Sequence, residues 1–201
     1  MALLEVDLEG LWLSAQQILG AIRFSQRRGE TIALLGPSGI GKSTLLRCIA
    51  GLERRYEGHI TAPDRLSTAF QEPTLLPWRS AIQNLTVTTG IGEAEAAIWL
   101  DRVGLGGRHS YFPGQLSLGQ QRRLSLARAI AARPELLLMD EPFVSLDPGL
   151  VDEMMTVFEG LRAAEGTTTL LVTHAEAEAE RLADRVLRLG GPPARLQAEG
   201  A

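Results

Sequence analysis

The segment TIALL (31–35) runs straight into GPSGIGKST (36–44), a short buried-type strand that delivers the chain to a glycine-rich loop. An apolar run with no polar alternation fits a strand covered on both faces, which is the habit of parallel sheets. The loop fits G-x-x-x-x-G-K-[ST] through Gly36, Pro37, Ser38, Gly39, Ile40, Gly41, Lys42 and Ser43, with Thr44 next. Its glycines let backbone N–H groups wrap an anion closely. The helix predicted through TLLRCIA, stopped by Gly51, adds its positive end. Strand, loop and helix in this order predict a polyphosphate cradle at the carboxyl end of a sheet.

The rest of the chain repeats the α/β alternation. ELLLMD (135–140) is predicted as a second buried strand, and Asp147-Pro148 as the cap and first position of a helix. Val151, Met154, Met155, Phe158 and Leu161 continue that helix to Gly166. TTTLLVTH (167–174) is a third strand, AEAEAERLADR a helix and RVLRL (185–189) a last strand. Between residues 72 and 132 the strands give way to helical stretches such as EAEAAIWLDRVG. We therefore expect one domain over 1–201: a core of about 1–71 and 133–190, a helical subdomain of about 72–132, and a frayed tail over 191–201.

Composition narrows the partners. With 20 Lys and Arg against 24 Asp and Glu, the chain carries a net charge of −4 with no basic stripe, so no nucleic acid partner is expected. Cys48 is the only cysteine, which fits a reducing compartment, and it is expected on the buried side of a helix. MALLEVDLEG lacks the basic and apolar regions of a signal peptide, and no run is long and apolar enough to span a bilayer.

Several residues match the cradle chemically. Lys42 is placed to reach the β- and γ-phosphates and Ser43 to bind Mg²⁺. Asp140, at the tip of a buried strand, suits a magnesium carboxylate, and Glu141 beside it a general base for water. Gln71 follows a short apolar segment, where its amide can touch metal and water. His174 ends a strand, where its imidazole can hold the γ-phosphate. Taken singly, these two are equally compatible with a surface glutamine and a structural histidine. LSLGQQRR (116–123) opens a second long helix with a serine and a glycine, a further presentation of backbone N–H groups.

Taken together, GPSGIGKST, Gln71, LSLGQ, LLLMDE, Ser145-Leu146-Asp147 and His174 resemble the ATP-binding cassette family, the ATPase subunits of ABC transporters. The resemblance covers nearly the whole chain. It implies a P-loop NTPase core, a mainly parallel sheet with flanking helices, with an inserted helical subdomain, and ATP with Mg²⁺ as ligands. It makes Gln71 the Q-loop glutamine, Asp147 the D-loop aspartate and His174 the switch histidine. Residues 116–120 become the signature motif, in which Ser117, Gly119 and Gln120 contact nucleotide. Trp12 lies where the family keeps an aromatic residue against adenine. One departure stands out: the signature usually reads LSGGQ, and Leu118 replaces the first glycine.

The resemblance also implies a head-to-tail pair of copies closing on two ATP, each nucleotide between one P-loop and the other copy's signature helix. FQEPTLLPW is similar to bacterial importer ATPases of the nitrate, sulfonate and taurine type. That implies a permease docking near Gln71–Trp78, a periplasmic solute-binding protein beyond it, and a cytoplasmic place on the inner membrane face. The alternative is a free-standing ABC ATPase acting on nucleic acid or ribosomes, a class that usually carries coiled-coil insertions or two cassettes. A GTPase would need an N-K-x-D base reader, which this sequence lacks.

Overall fold

The computed structural model describes residues 2–144 and 146–197. Ser145 and the tail end 198–201 lie outside the described residues. The chain opens with β1 (Ala2–Leu13), β2 (Gln16–Leu19), β3 (Ile22–Arg27) and β4 (Thr31–Leu35), followed by α1 (Lys42–Ile49). Next come β5 (Tyr56–Thr61), β6 (Leu66–Ala69), α2 (Ala81–Thr89), α3 (Glu93–Arg102) and α4 (Leu118–Ala131). It continues through β7 (Leu136–Asp140), α5 (Pro148–Glu165), β8 (Thr168–Thr173), α6 (Glu176–Leu182), β9 (Arg185–Gly190) and β10 (Arg195–Leu196).

The main sheet has the order β10-β9-β4-β8-β7-β6, parallel except for β10. Its central strands send alternate residues to two cores. Ile32, Leu34, Leu136, Leu138, Leu170 and Val172 pack with α1 and the N-terminal strands. Leu137, Met139 and Leu171 pack with the helices on the other face. This double burial is why TIALL and LLLMD carry no polar alternation. The P-loop strand β4 is thereby clamped between β8 and β9.

A second, antiparallel sheet was not anticipated. β1 pairs with β2, β3 and β5, burying Leu4, Val6 and Leu8 while Glu5, Asp7 and Glu9 stay on the open face. The expected frayed tail is also corrected over 191–197. Arg195 and Leu196 return antiparallel onto β9, and the Ala194 peptide bonds the first hairpin through Gly20 N–H (2.8 Å) and Ile18 C=O (3.0 Å). Cys48 is buried in α1, and desolvation pushes its thiol up to about 11. No helix among the described residues is long and apolar enough to cross a membrane.

Candidate nucleotide site

The loop after β4 turns through Gly39 (φ 77°) and Gly41 (φ 115°), backbone states that suit glycine. Gly41 also leaves no room: a Cβ there would lie 2.7 Å from Leu19 Cδ2 of the β2 hairpin. As the residue before α1, Gly41 supplies no capping side chain, so the first N–H groups of the helix remain available to an anion.

Lys42 is 3% exposed, a charge that burial would penalise without partners. Its ammonium donates to the carbonyls of Gly36 (2.8 Å) and Pro37 (3.1 Å) and lies 3.1 Å from Glu141 Oε1. The other Glu141 oxygen is 3.2 Å from His174 Nδ1. One carboxylate thus joins the P-loop lysine to the histidine beyond β8. Glu141 holds φ 46°, a left-handed backbone that costs about 1–3 kcal/mol for a residue with a side chain. The bond from its N–H to Val172 C=O (2.9 Å) fixes that state and aims the carboxylate.

Beside this line, the Ser43 hydroxyl donates to Asp140 Oδ1 at 2.8 Å. Burial is the main cause holding the Asp140 carboxyl above the usual aspartate range, with the charge of Glu141 adding to it. Ser43, Arg47 and Lys42 oppose the shift without cancelling it. Hydroxyl and carboxylate oxygens in this setting fit a hard divalent cation, whose charge would offset what burial opposes. Ser38, Ile40 and Thr44 belong to the same loop and first turn.

Other expected site residues lie further from this cluster. Gln71 is exposed just after β6, and among the described residues its side chain makes no hydrogen bond to the cluster. Trp12 is on β1 opposite Gln17, half-exposed, on the hairpin whose Ile18 and Leu19 a Cβ at Gly41 would meet. At the start of α4, Ser117 and Gln120 cap each other's backbone N–H groups at 3.3 and 3.0 Å. Leu118 is 48% exposed, whereas Gly119 is buried against α5: a Cβ there would lie 2.6 Å from Leu150 Cδ2. The Asp147 carboxylate caps α5 through Leu150 N–H at 3.0 Å, as the sequence predicts.

In the segment expected to meet a permease, Pro77 and Trp78 are exposed, whereas Leu75 packs on the helical core. Sequence reasoning also missed Arg122, whose guanidinium donates to Val144 C=O and joins α4 to the loop after Glu141. An arginine one residue from another in a helix gave no signal of it.

A central parallel sheet, a glycine loop entering α1 and a carboxylate pair at the tip of β7, one strand removed from β4, define a P-loop nucleotide hydrolase. The family model for ABC transporters matches residues 19–144. The chain belongs to the ABC transporter family and is one of its ATP-binding, ATP-hydrolysing subunits. It is 45% identical over 188 residues to the aliphatic sulfonates import ATP-binding protein SsuB 3 of Paraburkholderia xenovorans, covering 92% of this chain and 76% of that one. A second such protein, SsuB 2 of Rhodococcus jostii, is 46% identical over 165 residues, 80% of this chain and 68% of its own. Among solved structures, cbiO1 of Clostridium perfringens, part of the ABC transporter complex cbiONQ, superposes with a TM-score of 0.86 at 25% identity. It covers 99% of this chain and 88% of its own. The ADP- and Pi-bound dimer of the ATP-binding cassette MJ0796 shares the fold, with a TM-score of 0.85 at 24% identity over 98% and 97% of the chains. The transporter reading therefore stands over the free-standing one.

Proposed function

We propose that the chain is the ATP-driven motor of a bacterial importer for small sulfonate-type anions, working as a head-to-tail pair. The observation that carries the pairing is the division of the anion-binding equipment. Lys42, Glu141 and His174 form one connected line with the Ser43–Asp140 pair beside it, while at the start of α4 Ser117 and Leu118 are exposed and Ser117 and Gln120 cap each other. The substrate class rests on the import proteins that the chain is similar to.

ATP takes the P-loop amides, and Lys42 turns from the Gly36 and Pro37 carbonyls to the β- and γ-phosphates. Ser43, Asp140 and Gln71 would hold Mg²⁺, which neutralises phosphate charge when bound. Glu141 accepts a proton from the attacking water, and His174, oriented through Nδ1, holds the γ-phosphate. The second copy's Ser117 and Gly119 complete the anion's coordination, with Asp147 at the same junction and Trp12 against the base. Loss of the γ-phosphate then releases the pair.

In this reading residues 72–132 form the helical subdomain that carries the signature. Pro77 and Trp78 meet a permease, a solute-binding protein lies across the membrane, and the subunit sits on the cytoplasmic face. The test is Glu141→Gln with ATP. Hydrolysis should fall by about 10²–10⁴-fold, and light scattering should register an ATP-dependent dimer. A variant that stays monomeric with ATP bound would sink the paired model. Recovery of the wild type with a multi-spanning membrane protein, rather than ribosomes, checks the transport role.

A further inference from the structure

The turn between β8 and α6 contains only His174 and Ala175, so anything that fixes its two ends fixes the histidine. Ala175 stands at the cap position of α6 and supplies no side-chain hydrogen bond. The turn is instead braced by residues on both sides. Thr173, 2% exposed at the end of β8, accepts the Ala175 N–H on its hydroxyl at 3.0 Å. The same hydroxyl donates to the Glu178 carboxylate in the first turn of α6. One oxygen therefore spans the histidine's backbone from strand to helix.

We propose that Thr173 and Glu178 are positioning residues of the hydrolytic site, a clamp that holds His174 in register with Glu141. The inference rests on the hydrolytic reading of His174 and Glu141 given above. Geometry favours this role over a general packing one. Thr173 ends a strand buried along its whole length, so its hydroxyl cannot drift, and Glu178 projects from the helix that starts two residues after the histidine. Glu178 also lies in the field of both partners, drawn toward ionisation by His174 and away from it by Glu141. Burial is the larger influence and lifts its carboxyl above the ordinary range, which suits a group acting through a hydrogen bond. The His174–Glu141 contact, at 3.2 Å, is close enough that a small rotation of the turn would break it.

The test is steady-state ATP hydrolysis by the intact subunit. Glu178→Ala and Thr173→Val should each lower kcat by about tenfold, since sub-ångström to ångström misplacement of a catalytic group costs that much or more. KM for ATP should stay within about twofold, because the P-loop is untouched. Glu178→Gln keeps an acceptor for Thr173 and should retain most of the rate. In a His174→Ala background, Glu178→Ala should cause no further loss, since the clamp acts through that histidine. Should Glu178→Ala fail to fold, Thr173→Val against Thr173→Ser carries the same comparison.

An unchanged kcat in Glu178→Ala, or an equal further loss on top of His174→Ala, overturns the clamp. A Glu178→Gln variant as slow as Glu178→Ala overturns it too, by assigning the effect to charge. Unchanged hydrolysis in His174→Ala alone overturns the underlying reading of the histidine, a failure distinguishable from that of the clamp.

Discussion

In the proposed function the P-loop cluster and the start of α4 are both presentations for an anion, and they are built in opposite ways. The first joins three distant segments: Lys42 and Ser43, Asp140 and Glu141, and Val172 to His174. Its charges answer one another, and it includes a left-handed backbone at Glu141 that only a surrounding structure can hold. The second closes on itself within four residues through the Ser117–Gln120 cap, with Leu118 exposed beside it. The cluster has its scaffold inside one chain, whereas the α4 start is rigid locally and incomplete chemically. On the proposed function, a site divided in this way makes hydrolysis depend on a second copy.

The largest break in that contrast should come from Lys42→Ala. It removes charged hydrogen bonds worth roughly 1.5–3 kcal/mol each, so ATP affinity by calorimetry should fall by at least tenfold, and unchanged affinity would rule out the cradle. A smaller effect is expected from Leu118→Gly. In the proposed pair the exposed leucine occupies the face offered to the partner, so turnover should rise a few-fold while ATP binding to the monomer stays constant. If monomer affinity changes instead, the α4 start is not a partner's half-site.

The smallest effect concerns Asp140. Its carboxyl is raised in the folded state, so the native protein holds this proton to higher pH than the unfolded chain does. Stability from this group is therefore present at low pH and lost as pH rises from the ordinary aspartate value through the raised one. Melting curves of the nucleotide-free protein should show that slope, and Asp140→Asn should flatten it. Equal slopes in the two proteins would separate Asp140 from the electrostatics described.

What could be read beforehand followed from local chemistry. TIALL and LLLMD announce doubly covered strands, and Asp147-Pro148 and Gly166 mark the two ends of α5, where each forms the expected cap. The N-terminal sheet was overlooked although EVDLEGL alternates in the strand period, because bulges after Leu8 and Leu11 break the rhythm and β2 is only four residues long. The tail misled for a different reason. GGPP is indeed a turn, but the strand after it has two residues, too few to carry a periodic signal. Within the site, residue types were legible and contacts were not. That Glu141 touches both Lys42 and His174 depends on which strand tips are neighbours, and the Leu150 face that demands Gly119 is set by how two helices cross.

The position of β4 has a consequence for synthesis. Both of its sheet partners, β8 and β9, lie more than 130 residues downstream, at Thr168–Thr173 and Arg185–Gly190. On the ribosome the P-loop motif emerges well ahead of both strands that flank β4 in the sheet. Such long-range closure is slow, and in the interval TIALL is an unpaired apolar strand open to wrong pairing. The P-loop is thus made long before the strands that flank it in the sheet.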